Sequence, residues 1–368
     1  MQFSTTHKQL LNAIILVEKN VGKKESLPVL SCVVCKAENG VLTLQTTNLE
    51  SSMQVIVPAQ ITTDGTVAVN AHIFSQIIRS IQGETIHCEI QDENLTIKSK
   101  NTNSVIKSIP YTEFPFILTH ATLPKNQVLD KTSLLTGIRS VVYAASSSMI
   151  RPELGSIYIS FNDTECVCVA TDSFRLAEKT LKQTVSTPQS ELLIPLKYTL
   201  ELMHVLEHIQ DESVEWSVVE DSYVVFKTSE VYYMTRIVDS RFPQYKEIIP
   251  KDVHTEVTLL KNDFADVLRK ARIFSGTDQY IGIHVYPKKK ICTATAQSAL
   301  VGEMSDSLDG ALSGEDIDIK FHITYLADCL SSIASDSIVL TFAGVGRPVL
   351  IHGVSDPSFR YLVMPLNR

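Results

Sequence analysis

The sequence predicts an α+β protein of three similar domains, each with two helices packed on antiparallel sheets. Three observations predict it. A helix–strands–helix–strands order occurs three times along the chain. A Thr-containing strand recurs at even spacing, with Thr46, Thr171 and Thr295 lying 125 and 124 positions apart. The 368 residues divide into three lengths of about 123, each long enough to bury a core without disulfides. The expected domains are 1–122, 126–250 and 251–368.

The elements follow in order. Amphipathic helices open the blocks near His7–Lys19, Lys131–Ala145 and Lys261–Phe274, with apolar residues at helical spacing such as Leu134, Leu135, Ile138, Val141 and Val142. Second helices are expected over Ala71–Ile81, Leu196–Ile209 and Ile323–Ile333. Between the helices lie strand-like runs: LTLQTTNLE from Leu42, VCVATDSFRL from Val167 and ICTATAQSAL from Ile291. After the second helix come strand pairs: TIHCEI with NLTIKS, SVEWSVV with SYVVFKT, and SIVLTF with PVLIHG. Two blocks close on Glu113-Phe114-Pro115 and Arg241-Phe242-Pro243. Pro124-Lys125 and Pro250-Lys251 fall where linkers are expected.

Composition narrows the function. Lys and Arg number 33 against 41 Asp and Glu, a formal charge of -8, which argues against a basic surface that wraps nucleic acid. No run approaches the ~18–20 apolar residues of a membrane helix. The apolar run Leu10–Val17 is interrupted by Asn12 and has no basic leader, so a cytoplasmic protein is expected. Seven scattered cysteines fit a reducing compartment. No phosphate-binding loop, nucleophile elbow or H-E-x-x-H pattern is present, and Gly344-Val345-Gly346 reads as a hairpin turn. Cys32 and Cys35, three apart in a strand-like run, read as core thiols. His204 and His208 have i, i+4 spacing suited to a metal, but they share a face with Lys197 and Glu201 and read as part of a solvated polar face. Neither a catalytic residue, a metal nor a cofactor is expected.

The charges are unevenly placed. The six helix candidates with their flanks carry eleven basic residues against eight acidic ones, a net +3, which leaves −11 elsewhere.

Four stretches carry a resemblance: Leu27-Pro28-Val29-Leu30, ATDSFRLA from Ala170, VDSRFPQYKEIIP from Val238 and the terminal YLVMPLNR from Tyr361. Together with the three-unit plan, they resemble the bacterial DNA polymerase III beta subunit, the processivity sliding clamp. The resemblance runs from Met1 to Arg368. It implies a DNA clamp fold in which each chain forms half of a closed ring, two chains joining head to tail around duplex DNA. It implies replicative and repair polymerases and the clamp loader as partners, with no cofactor. By that likeness Lys24, Arg79, Arg151 and Lys197 match DNA-contacting positions, and Ile106, Ile273 and Phe274 match dimer-interface positions. A hydrophobic pocket for partner peptides matches Leu154, Thr171, Phe174, Arg175, Leu176, Pro243, Ile248, Pro348, Val363, Met364, Pro365 and Leu366. The chain departs from the family where Ser173-Phe174 replaces the common Gly-His, and where Pro152-Glu153 replaces aromatic residues after Arg151. Two other readings stand beside this one. One is a monomeric clamp-like scaffold that binds peptides, and the other is a hydrolase or metal enzyme using Asp172 or His204 and His208.

Overall fold

Each α-helix among the described residues grows directly out of a strand. Gln2–Thr6 runs into α1 (His7–Val17), Gly65–Asn70 into α2 (Ala71–Ser80) and Gln127–Asp130 into α3 (Lys131–Val141). Ser190–Pro195 runs into α4 (Leu196–His208), Thr255–Leu260 into α5 (Lys261–Phe274) and Ile317–His322 into α6 (Ile323–Asp328), which a 3-10 turn extends to Ser332. This is a computed structural model describing residues 1–22, 27–115, 127–162, 164–182 and 189–366.

Several of these strand-to-helix turns are capped by the last strand residue. The side chains of Thr6, Asn70 and Asp130 accept from the backbone N–H of Gln9, Ile73 and Ser133, filling donors that a helix start leaves open. The helices bury the apolar face their spacing predicts: Leu10, Ala13, Ile14 and Val17 on α1, and Phe264, Val267, Leu268 and Ala271 on α5.

A second device recurs in each repeat. The first residue of the opening helix donates its backbone N–H across the chain, His7 to Glu84, Lys131 to Glu212 and Lys261 to Asp336. Its side chain then reaches the end of the second helix. His7 Nε2 lies 2.8 Å from the Ile78 carbonyl, Lys131 Nζ 2.9 Å from that of Ile209 and Lys261 Nζ 2.7 Å from that of Ile333. Cations and N–H donors are favoured at a helix C-terminus, where carbonyls lack partners. Lys131 and Lys261, counted among the positive helix charges, are therefore structural clips.

The chain divides into two compact units, Met1–Leu135 with Lys197–Ile237, and Thr136–Leu196 with Val238–Arg368. The middle repeat is split between them. In the first unit, Ser51–Val57 pairs antiparallel with Val231–Arg236 and closes a nine-stranded sheet, five strands from the first repeat and four from the second. In the second unit, Arg175–Lys182 pairs with Asp356–Val363 and closes another nine-stranded sheet, four strands from the second repeat and five from the third. Each unit also holds a smaller sheet. That of the first has five strands and ends on Thr102–Ile106; that of the second has four and ends on Gly302–Ser307.

Two buried features hold the first unit. Phe114, of the Glu113-Phe114-Pro115 motif, packs against Val219, Val225, Tyr232 and Met234 and against Cys32, Val34 and Ala68. Glu201 of α4, expected on a solvated face, is instead 8% exposed. Its Oε2 accepts from Ser51 Oγ (3.0 Å), Asn20 Nδ2 (3.2 Å) and Tyr233 OH (3.2 Å). Burial raises its pKa above the ordinary carboxylate value, against the pull of those donors. Helical spacing could not separate Lys197, which is exposed, from Glu201 one turn later, which has polar partners brought from 150 and 181 residues away. All seven cysteines are free and buried, so Cys32 and Cys35 are core thiols on opposite faces of a strand covered on both sides.

Candidate functional site

The turn Thr171-Asp172-Ser173-Phe174-Arg175 joins two strands of the second unit's nine-stranded sheet. Asp172 Oδ1 accepts from the backbone N–H of Phe174 (2.9 Å) and Arg175 (3.0 Å), while Thr171 Oγ1 donates to the Arg175 carbonyl at 2.7 Å. This is how Asp and Thr side chains replace backbone partners in a tight turn. Ser173 sits at φ 79°, the left-handed region that glycine occupies without steric cost. The departure from glycine at this position therefore adds strain to the turn, and Phe174 is thrown outward, 60% exposed. The Phe174 carbonyl accepts from the N–H of Met364, which ties the C-terminal strand to the turn.

Arg175 is the electrostatic centre of this region. Its Nε lies 2.9 Å from Asp172 Oδ2, Nη1 bonds Asp328, and the guanidinium stands 4.6 Å from the Tyr325 ring centre. Burial opposes its charge, but Tyr361, Asp328 and Asp172 more than offset this and raise its pKa. The side chain is thus a fixed cation with two carboxylate partners, better suited to shaping a wall than to gripping a ligand carboxylate.

A strap lies across the same sheet. Phe242 stacks on Tyr158 with ring centres 4.8 Å apart, and Tyr245 OH donates to Glu178 at 2.6 Å. Tyr245 is buried with Val169, Leu176 and Leu362. Burial, then the neighbouring Glu178 carboxylate, pushes the Tyr245 hydroxyl pKa well up, so it remains a donor at neutral pH. Anchored in this way, the strap continues through Ile248 to His254 as one side of a cleft of about 930 Å³. The turn at Phe174, Met364 and the Ala343–Pro348 hairpin supply the rest of its lining.

Seven of the twelve expected pocket residues line the cleft: Thr171, Phe174, Arg175, Leu176, Ile248, Pro348 and Met364. Leu154 and Val363 are instead core residues, 5% and 0% exposed. Val363 ends a strand paired on both sides, and its side chain is fully buried. Pro243 is half-buried in the strap, and Pro365 and Leu366 run past the cleft, Leu366 donating its N–H to the Lys320 carbonyl. The sequence reading missed Glu247, Ile249, Lys251, Asp252 and His254, because Pro250-Lys251 had the composition of a linker. The quoted VDSRFPQYKEIIP run was the available signal. It also missed Val345 and Arg347, which stand on the expected Gly344–Gly346 hairpin turn.

Arg79, Arg151 and Lys197 are not among the residues that line this cleft. Lys24 lies outside the described residues. Arg79, in the last turn of α2, is half-exposed and pairs with Glu18 at 3.1 Å. Arg151 is exposed and pairs with Glu153 at 3.0 Å, so the departure at Glu153 puts a carboxylate directly on the expected DNA contact. Lys197 is exposed on the first turn of α4 with its amine 4.9 Å from the Tyr198 ring centre. Among the interface positions, Ile273 is 64% exposed and Phe274 half-buried. Ile106 is 3% exposed in the single chain, and its neighbour Val105, 60% exposed, is the outward apolar residue of that edge strand.

Family models agree with the three-part plan along nearly the whole chain. The N-terminal, central and C-terminal domains of the DNA polymerase III beta subunit match residues 1–119, 128–244 and 246–367. The chain belongs to the DNA polymerase III beta subunit family. It is 25% identical to the Beta sliding clamp of Bacillus subtilis over 384 residues, covering all of both chains. It is also 25% identical to the Beta sliding clamp of Escherichia coli K12 over 373 residues, again covering both fully. Among solved structures, the DNA polymerase III beta subunit of Thermotoga maritima shares its fold with TM-score 0.94 at 23% identity, covering 100% of this chain and 99% of that one. The sliding clamp of Bacillus subtilis superposes with TM-score 0.93 at 23% identity over 100% and 99%.

Proposed function

We propose that this chain is a sliding clamp: two copies close head to tail into a ring around duplex DNA and tether the replicative polymerase to its template. The observation that carries this reading is the strand count. Twice within the chain, a five-strand half-sheet of one repeat meets a four-strand half-sheet of another through their outermost strands. The remaining half-sheets have five and four strands, and their edges, Thr102–Ile106 and Gly302–Ser307, correspond in order to the strands that pair in the other two. The same antiparallel junction between two copies makes a third nine-stranded sheet and removes an edge open to misassociation. Two such contacts close rather than propagate, as a cyclic arrangement requires. Val105 on one edge and Ile273 on the other side supply exposed apolar surface for it.

Encirclement explains how an acidic chain serves DNA. A few cations, drawn from Lys24, Arg79, Arg151 and Lys197, give weak, sequence-blind, salt-sensitive attraction, and topology supplies the retention. The partly neutralised Arg79 and Arg151 suit a protein that must slide. The cleft beside Phe174 takes short apolar peptide segments of polymerases, the clamp loader and repair proteins. Its aliphatic walls accept apolar anchors and Met364 adapts to different ones. The three clamp domains are 1–122, 126–250 and 251–368, and the protein works in the cytoplasm without a catalytic step of its own.

The test is loading onto nicked circular DNA with the matching loader and ATP. Protein should remain on the circle and leave when the circle is cut. Equal retention on linear and circular DNA overturns the topological mechanism, and retention on neither leaves a peptide-binding scaffold as the correct reading.

A further inference from the structure

We propose that His204, Glu207 and His208, in the last turns of α4, form a binding site for a divalent transition-metal ion of the zinc type. One ligand atom from each of the three lies within 4.8 Å of the others. Zinc–nitrogen bonds of about 2.0–2.1 Å in tetrahedral geometry bring ligand atoms to about 3.4 Å apart, so the three side chains must draw together to hold an ion. The i, i+3, i+4 spacing places all three on one helical face.

Hydrogen bonding favours this ion beyond spacing alone. His204 Nε2 lies 3.1 Å from the Ile15 carbonyl of α1, and His208 Nδ1 lies 2.8 Å from the His204 carbonyl. A carbonyl only accepts, so each of those nitrogens carries the proton. The second nitrogen of each ring, His204 Nδ1 and His208 Nε2, therefore holds a lone pair when the ring is neutral. Metal-bound histidines characteristically donate their other N–H to a backbone carbonyl or carboxylate, which fixes tautomer and orientation. The ring centres are 4.2 Å apart, so the two rings are already side by side.

The local field is also favourable. The C-terminus of the 13-residue α4 carries partial negative charge that attracts a cation in its last turn. Glu207 adds a carboxylate and Lys19 opposes with a positive charge, both close enough to act on His204. Three protein ligands leave coordination positions to water, as at an exposed surface site. Through the His204–Ile15 bond, the bound ion fastens the end of α4 to α1.

The experiment is calorimetric titration of the full-length, tag-free chain with Zn²⁺, and separately with Mg²⁺, at pH 7.5 in non-chelating buffer. One equivalent of Zn²⁺ should bind, Mg²⁺ should produce no heat, and the melting transition should rise with Zn²⁺. His208→Gln, an exposed position that does not threaten folding, should weaken Zn²⁺ at least tenfold, and His204→Gln should do the same. Absence of a stoichiometric Zn²⁺ isotherm overturns the proposal. So does binding that survives both substitutions, which would assign the ion to thiols or another surface. The loading assay on circular DNA reads neither outcome, so this site and the clamp reading stand or fall separately.

Discussion

Glu201 offers a perturbation whose size can be worked from its contacts. Replacing it with Ala removes the acceptor of the Ser51 hydroxyl, whereas Asn20 Nδ2 keeps its 2.6 Å bond to Ser51 Oγ and Tyr233 OH keeps the Tyr198 carbonyl at 3.0 Å. One orphaned buried donor costs about 1–3 kcal/mol. The space left by the side chain adds a cost of similar size, on the order of 1–2 kcal/mol, only partly relieved by relaxation. Removing a buried charge returns part of this, so the net loss for Glu201→Ala is about 2–3 kcal/mol. The surrounding compact unit has roughly 180 residues, for which each kcal/mol moves the melting temperature about 2–4 °C. Its unfolding transition should therefore fall by about 4–12 °C. Glu201→Gln keeps an acceptor for all three donors and carries no charge, so it should stay within about 1 kcal/mol of the parent. Differential scanning calorimetry of the three proteins at pH 7 decides the matter. A Gln variant as damaged as the Ala variant would refute the view that acceptance, rather than charge, is what the site requires. The pH dependence has a definite sign. A carboxyl whose folded pKa is raised above 4.5 binds protons more readily when folded, so the parent should lose stability relative to Glu201→Gln as pH rises from about 4.5 toward 7.

Two further outcomes are expected. Val105→Asp places a charge on the open edge strand without touching the core, and should convert a dimer to monomer in sedimentation velocity while leaving each chain's circular dichroism unchanged; an unaltered dimer would remove the edge-strand junction. Asp172→Ala deletes two turn hydrogen bonds and one partner of Arg175, and should weaken a polymerase-tail peptide at least tenfold, about 1.4 kcal/mol or more, in fluorescence anisotropy; parent-like affinity would detach the turn from the cleft's function.

The helices were legible because their apolar periodicity is local. The expected Lys261–Phe274 and the observed α5 coincide, and α2 and α4 end within one residue of expectation. The two families of strands were legible for the same reason, and the repeat emerged from both. The middle repeat's division between two sheets was not, since the pairing of Ser51–Val57 with Val231–Arg236 joins segments about 180 residues apart in sequence. In the short strand Thr102–Ile106, which face is buried turns on a single residue, and the likeness to the family placed the contact on Ile106 where Val105 is the exposed one. At the cleft, the Asp172-to-Arg175 turn was recognisable from its residues. The strap beyond Ile248 was not, because a segment held by two aromatic rings and one buried hydroxyl has the composition of a loop.

Sharing sheets between repeats also sets the order in which a growing chain is able to fold. The first repeat, once synthesised, exposes the edge of Ser51–Val57, and its nine-stranded sheet is finished only when the ribosome has delivered Val231–Arg236. Strands 156–195 wait in the same way for Asp356–Val363, about as far along the chain from Arg175–Lys182. The compact units are therefore not the units that repeat in sequence. A nascent chain passes through two long intervals with an unpaired β-edge at its surface, and during these intervals chaperones have the most to protect.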